Sequence, residues 1–140
     1  MAPCGSGAVL EVFPLCYPPR LVKILLADDD RLVRAIVSDL LGELGHDVVQ
    51  AENGQQVLDL SDVEQPDLMI LDFLMPKLSG IDALRQLRAA GRKTPAIILT
   101  AITDGSVRGV DGAEAADGFL EKPVTRRSLE RALARVARPR

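Results

Sequence analysis

Residues 21–32 read LVKILLADDDRL: six aliphatic positions interrupted only by Lys23, then three carboxylates in a row, then the start of a new pattern. Adjacent negative charges repel one another, and the end of a strand leaving a protein core is a costly place to gather them. From Arg31 onward the apolar residues Leu32, Val33, Ile36, Leu40, Leu41 and Leu44 recur at helical steps, and Gly45 supplies a C-terminal stop. The stretch therefore reads as a buried strand, an acidic rim and an amphipathic helix in direct succession. Within it the three aspartates divide. Asp30 stands immediately before the helix, where its carboxylate can cap the amides of Leu32 and Val33; Asp28 and Asp29 leave the strand with no such local duty.

The same unit repeats along the chain. Short aliphatic runs at 21–27, 47–51, 68–71, 96–101 and 119–121 are bounded by Gly, Pro, Asp or Thr, as buried strands are. Between them lie helical patterns: one opened by Asn53 in NGQQVLDL, one from Ile81 through Leu84 and Leu87 that ends before Gly91, and one over 128–137. The fourth, TDGSVRGVDGAEAAD, carries Gly105, Gly109 and Gly112, each costing about 1 kcal/mol in a helix interior, so a helix there is expected to be marginal and mobile. Five strand–helix units in strict alternation predict an α/β fold, a parallel sheet with helices on both faces. Ligands of such sheets bind beyond the carboxyl ends of the strands, at the point where strand order switches.

Composition limits the function classes. The 140 residues fit one domain, with 47% hydrophobic and 26% charged residues and only 3% aromatics, so the core must be aliphatic. A formal net charge of −3 gives no reason to expect direct nucleic-acid binding or an anionic membrane surface. No apolar run approaches the roughly 18 residues that cross a bilayer. Cys4 and Cys16 lack metal-type spacing and read as reduced thiols of a cytoplasmic protein. Residues 1–20 have no basic start and are broken by Glu11 and Pro14; they read as a flexible N-terminal extension, with the domain proper at 21–140.

At the predicted carboxyl ends, strand one gives Asp28 and Asp29, strand three Asp72, strand four Thr100, and strand five Lys122 followed by Pro123. In a flavodoxin-like order 2-1-3-4-5 these residues converge on one pocket. Three carboxylates so close cannot all stay ionised without a cation. Oxygen-only ligands on a short, partly open rim suit Mg²⁺.

The set ILLADDD, LMILDFLMPKLSG, IILTA and GFLEKPV resembles the receiver domain of two-component response regulators, of the single-domain, chemotaxis-regulator-like kind. The likeness covers all but the extension, and order, residue identity and spacing agree together. It implies a flavodoxin-like doubly wound (βα)5 fold and a phosphoacceptor at Asp72. It further implies Mg²⁺ held by Asp28 (largely through water), Asp29, Asp72 and the backbone carbonyl of Leu74. Thr100, Ala101, Lys122 and Phe119 become the phosphoryl-binding and switch residues, and Pro123 a candidate for a cis peptide bond or turn. The phosphoryl donor implied is a phosphohistidine on a sensor histidine kinase or a histidine phosphotransfer protein. The resemblance also implies a domain that catalyses only its own phosphorylation and dephosphorylation. Readout is expected at the surface of the fourth helical segment, fifth strand and fifth helix, toward a downstream protein target or a phosphorylation-dependent homodimer. As only Arg138-Pro139-Arg140 follow the last helix, a stand-alone regulator is expected.

Some residues depart from the commonest pattern of that family. Phe119 stands where tyrosine is frequent, and Ser79 replaces an acidic or amide residue before Gly80. Leu74 and Ile102, two residues beyond Asp72 and Thr100, are apolar and cannot position an attacking water, which predicts a long-lived aspartyl phosphate. Two other functions compete: a receiver-like interaction module not regulated by phosphorylation, and a Mg²⁺-dependent phosphohydrolase using an aspartyl-phosphate intermediate. The latter class has its D-x-D-x-T motif after strand one and a cap domain for which 140 residues leave no room. His46, after Gly45 at a turn, is expected to be solvated. The arginines 127, 131, 135 and 138 form a solvated stripe opposite Leu129, Leu133 and Val136, which is also suited to an acidic partner surface.

Overall fold

The computed structural model describes residues 22–102 and 106–137. The predicted extension, Cys4, Cys16 and Arg138 lie outside them. Strands β1 (Lys23–Ala27), β2 (Asp47–Ala51), β3 (Leu68–Asp72), β4 (Ala96–Thr100) and β5 (Gly118–Glu121) form one parallel sheet in the order β2-β1-β3-β4-β5. Helices α1 (Arg31–Glu43), α2 (Gly54–Glu64), α3 (Gly80–Ala89) and α4 (Arg126–Ala137) cover its two faces. This is the flavodoxin-like architecture that the alternation predicts.

Alternation within each strand sorts the core. Ile24, Leu26, Ile70, Ile97 and Leu99 point to one face and pack under α1 and α4 through Val37, Leu41, Leu129 and Leu133. Leu25, Ala27, Met69, Leu71 and Ile98 point to the other and meet α2 and α3 through Val57, Ile81, Leu84 and Leu87. Each fully buried Leu or Ile contributes about 1.5–3 kcal/mol relative to exposure. With β1, β3 and β4 fully buried beyond Lys23, the sheet centre has no freedom to slip, and its acidic ends are held in place.

The helix starts follow from the sequence. Asp30 caps α1, its Oδ1 accepting from the amides of Leu32 (2.9 Å) and Val33 (3.4 Å). Asn53 caps α2 through Gln56 N. Ser79 caps α3 by accepting from Asp82 N at 3.1 Å, which gives the substitution noted above a structural role. Next to it, Gly80 is required by contact: a Cβ there would fall on the backbone oxygen of Asp72. Asp30→Ala is expected to lower stability by about 1 kcal/mol in urea melts while leaving Mg²⁺ affinity within a few-fold of wild type. Loss of Mg²⁺ binding in that variant would make Asp30 a ligand rather than a cap.

Three expectations are corrected. The segment between β4 and β5 contains no α-helix among the described residues; it forms two 3₁₀ turns, Ser106–Gly109 and Ala113–Ala115. Gly112 between them takes a left-handed conformation (φ 95°), which a continuous helix would not tolerate. The periodic set of α1 holds only in part: Leu41 is buried and Val33, Leu40 and Leu44 pack half-buried on the core, but Leu32 and Ile36 are exposed and Arg34 and Val37 take the buried face instead. His46 is buried, not solvated. Gly45 (φ 93°) turns the chain so that His46 N donates to Leu41 O at 3.1 Å and the ring is carried inside, with no hydrogen-bond partner at either nitrogen. Burial lowers its pKa, favouring the neutral ring. Among the described residues no helix is long and apolar enough to cross a membrane.

Candidate functional site

At the carboxyl edge of the sheet a cleft of about 360 Å³ is lined by Asp28, Asp29, Asp30, Asp72, Phe73, Leu74, Thr100, Ala101, Ile102 and Lys122. β1 and β3 are neighbours in register, so Asp72, the last residue of β3, meets Asp28, the residue just past the end of β1. One carboxylate oxygen from each of Asp28, Asp29 and Asp72 lies within 4.8 Å of the others. Asp28 is fully buried, Asp72 nearly so, and Asp29 is exposed at the rim.

Nearly every polar atom of Asp28 is committed. Its amide donates to Ala51 O at 3.2 Å, its carbonyl accepts from Arg34 Nη1 at 2.7 Å, and its Oδ1 accepts from Asp30 N at 2.8 Å. Its buried Oδ2 lies 3.1 Å from the ammonium of Lys122, and among the described residues no aligned hydrogen-bond donor reaches it.

Lys122 reaches the cleft because its amide donates to Thr100 O at 2.8 Å, extending the β4–β5 ladder by one residue. Its Nζ lies 3.2 Å from Asp72 Oδ1 and bridges the two buried carboxylates. Burial alone would lower the pKa of this ammonium; its hydrogen bonds and the charges of Asp28 and Asp72 outweigh that and hold it raised. The Asp72 carboxyl moves far from its ordinary 3.8, pushed up to about 7. Burial is the main cause, the Asp28 charge acts in the same direction, and Lys122 pulls back only in part.

This donor set fits a hard divalent cation: three carboxylates, no nitrogen or sulfur ligand, a buried oxygen with no aligned donor, and one ammonium against three acids. Asp28, Asp29 and Asp72 would hold it, with Leu74 at the mouth of the cleft.

Thr100 is buried at the end of β4, its Oγ1 accepting from Ile102 N at 3.0 Å, so the hydroxyl braces the loop that follows. Phe119 does not line the cleft. It sits half-buried on β5, opposite Ile98, with the Arg108 guanidinium 4.5 Å above its ring. The Lys122–Pro123 peptide bond is cis.

Two residues in these arrangements escaped the sequence reading. Arg108 gave no signal, because nothing in a glycine-rich segment marks a residue that stacks on a distant ring. Arg34 did give one: it falls in register with Val37 and Leu41, and a charged residue in an apolar stripe asks for a buried partner.

A family model described as the response regulator receiver domain matches residues 24–134. Among curated proteins, the response regulator MprA of Mycolicibacterium vanbaalenii is 42% identical over 116 residues, covering 82% of this chain and 48% of its own length. MprA of Mycobacterium tuberculosis is 41% identical over the same length, so the chain spans about half the length of the curated relatives it matches. The Vibrio cholerae chemotaxis protein CheY4 superposes with a TM-score of 0.77 at 30% identity, over 83% of this chain and 98% of that one. The receiver domain of a Pseudomonas aeruginosa sensor histidine kinase, solved with a magnesium ion coordinated in its active site cleft, gives 0.74 at 30% identity, over 82% and 96%. The family match takes in every residue that lines the cleft, and the chain belongs to the response regulator receiver domain family.

Proposed function

We propose that this receiver takes a phosphoryl group onto Asp72 in the presence of Mg²⁺ and thereby changes a partner-binding surface. The observation that carries the reading is the paired contact of one ammonium, Lys122, with both Asp28 and Asp72 in an open cleft. The donor is a phosphohistidine of a sensor kinase or phosphotransfer protein. An Asp72 carboxylate oxygen bonds to phosphorus as the phosphorus–nitrogen bond breaks, and the electron pair leaves with the imidazole.

A carboxylate is a weak nucleophile, so placement and charge neutralisation must supply the acceleration. Lys122 brings a positive charge against the acceptor and the arriving oxygens. Asp28 and Asp29 would hold the cation with Asp72, and the Leu74 carbonyl would complete the protein ligands. Bound Mg²⁺ supplies further neutralisation of the oxygens around phosphorus. The magnesium-bearing Pseudomonas receiver supports this choice of ion.

Phosphorylation replaces the single charge of the Asp72 carboxylate with an acyl phosphate that carries about two. The Thr100 hydroxyl then turns from bracing Ile102 to donating to a phosphoryl oxygen, drawing the following loop inward. Phe119 exchanges its contact with Arg108 for the space vacated. With no phenol hydroxyl, this step rests on ring packing and the cation–π contact. The surface of the 3₁₀ turns, β5 and α4 changes shape, and a target, a linked output domain or a second copy reads it. Arg127, Arg131 and Arg135 are exposed there and suit an acidic surface.

Exposed Leu74 and half-buried Ile102 border the cleft without a group to orient water, so the phosphate is expected to persist. Leu74→Asn should speed its loss roughly tenfold, equivalent to about 1.4 kcal/mol of barrier, in a single-turnover decay assay. A faster-decaying wild type would contradict the water-exclusion argument.

Incubation with acetyl phosphate tests the function as a whole. The intact mass should rise by one phosphoryl group with Mg²⁺ present and stay unchanged with EDTA. No adduct under either condition would leave an unregulated interaction module, and sustained turnover of general phosphate esters would make the protein a phosphohydrolase.

A further inference from the structure

We propose that the buried guanidinium of Arg34 is a positioning residue for the cation site. It fixes the peptide between Asp28 and Asp29 so that both carboxylates are presented to the ion; the inference rests on the Mg²⁺-dependent reading above.

Arg34 occupies the core-facing stripe of α1 and is only 9% exposed. Burying a guanidinium there is unfavourable unless its donors are used, and an aliphatic residue would complete the stripe at lower cost. Its three nitrogens all face acceptors at the ends of β1 and β2. Nη1 donates to Asp28 O at 2.7 Å, Nε to Gln50 Oε1 at 3.2 Å, and Nη2 lies 3.8 Å from Glu52 Oε2. Gln50 is held in turn by Ser38 Oγ at 3.3 Å. The fork thus ties the end of β1 to the end of β2 across the base of the acidic loop.

A peptide group is planar, so fixing the Asp28 carbonyl also fixes the direction in which Asp29 leaves it. That matters more for Asp29 than for Asp28. The Asp28 carboxylate has the Asp30 amide to orient it. Asp29 is exposed at the rim, and no hydrogen bond to its carboxylate is found among the described residues, so its aim comes from the backbone alone.

Positioning and charge predict opposite signs. Treated as a charge only, Arg34 repels a nearby cation, and its removal would tighten binding. Treated as the support of the Asp28–Asp29 peptide, its removal loosens two ligands, and losses of about 10- to 100-fold in metal affinity are usual for such supports.

The test is calorimetric titration of the whole chain with MgCl₂, with urea melts of each metal-free protein to confirm that it is folded at the titration temperature. Arg34→Met should weaken Mg²⁺ affinity by about 10- to 100-fold. Arg34→Lys keeps the charge but replaces the rigid planar fork with a single nitrogen on a flexible stem, and should also weaken it, by about tenfold. Gln50→Ala, at an exposed position, should give a smaller loss in the same direction and carries the test if Arg34→Met does not fold. Unchanged or tighter binding in Arg34→Met, wild-type affinity in Arg34→Lys, or an unaffected Gln50→Ala would each overturn the assignment. A wild-type chain that binds no Mg²⁺ would overturn the proposed function as well, which separates the two failures.

Discussion

Asp29→Ala is expected to abolish measurable Mg²⁺ binding while leaving the metal-free fold at least as stable as wild type. The carboxylate of Asp29 lies at the rim of the cleft, within 4.8 Å of oxygens from Asp28 and Asp72. In the metal-free protein it contributes repulsion and no hydrogen bond found among the described residues, so its removal costs the fold nothing. Toward a divalent ion it is the most accessible of the three acids. Two unit charges at 4 Å interact by about 4 kcal/mol near a protein surface, and even half of that against a doubly charged ion weakens binding at least a hundredfold. Titration calorimetry paired with urea melts reads both quantities. Retained affinity, or a destabilised metal-free protein, would give Asp29 a structural role in place of a ligand's. Asp30→Ala, one residue on, should behave in the opposite way, because that carboxylate serves the amides of α1.

Mg²⁺ affinity should fall about tenfold for each pH unit below neutrality and level off above it, as one proton competes with the ion. The proton sits on Asp72, whose pKa is pushed up to about 7 by burial and by the Asp28 charge. The sign of the stability effect follows. A carboxyl whose folded pKa exceeds its unfolded value of 3.8 favours the folded state most at low pH. That contribution is lost as pH rises from about 4 through about 7. Metal-free melts should therefore show Asp72 weakening the fold across this window, while the rise in melting temperature on adding Mg²⁺ grows with pH. His46 acts in the other direction: its lowered pKa removes stability as pH falls below 6.5. The difference between melts with and without Mg²⁺ at each pH cancels that contribution. An affinity independent of pH between 6 and 8 would contradict the raised pKa.

The sheet and the cleft were legible in the sequence because both are written in short-range pattern. Aliphatic runs of four to six residues mark the strands, and residues such as Asp72 and Thr100 stand where those runs stop. Capping by Asp30 is likewise a contact of two and three residues. What stayed hidden depends on contacts between distant segments. Leu32 and Ile36 carry the helical period of α1 as well as Val37 does, and only the crossing angle on the sheet decides which face is buried. His46 looks like a turn residue until Gly45 turns it into the interior. The two 3₁₀ turns were foreshadowed by three glycines, but Val107 and Ala113, which anchor them in the core, have no distinguishing local pattern.

The central claim, that Asp72 receives the phosphoryl group, is tested most directly by the intact mass of Asp72→Asn beside wild type after incubation with acetyl phosphate and Mg²⁺. Asparagine keeps the shape of the side chain and removes the nucleophilic oxygen. Wild type should gain one phosphoryl mass that disappears on alkaline treatment, and Asp72→Asn, folded as judged by its melt, should gain none. An equal adduct on both proteins would place the chemistry elsewhere and contradict the account.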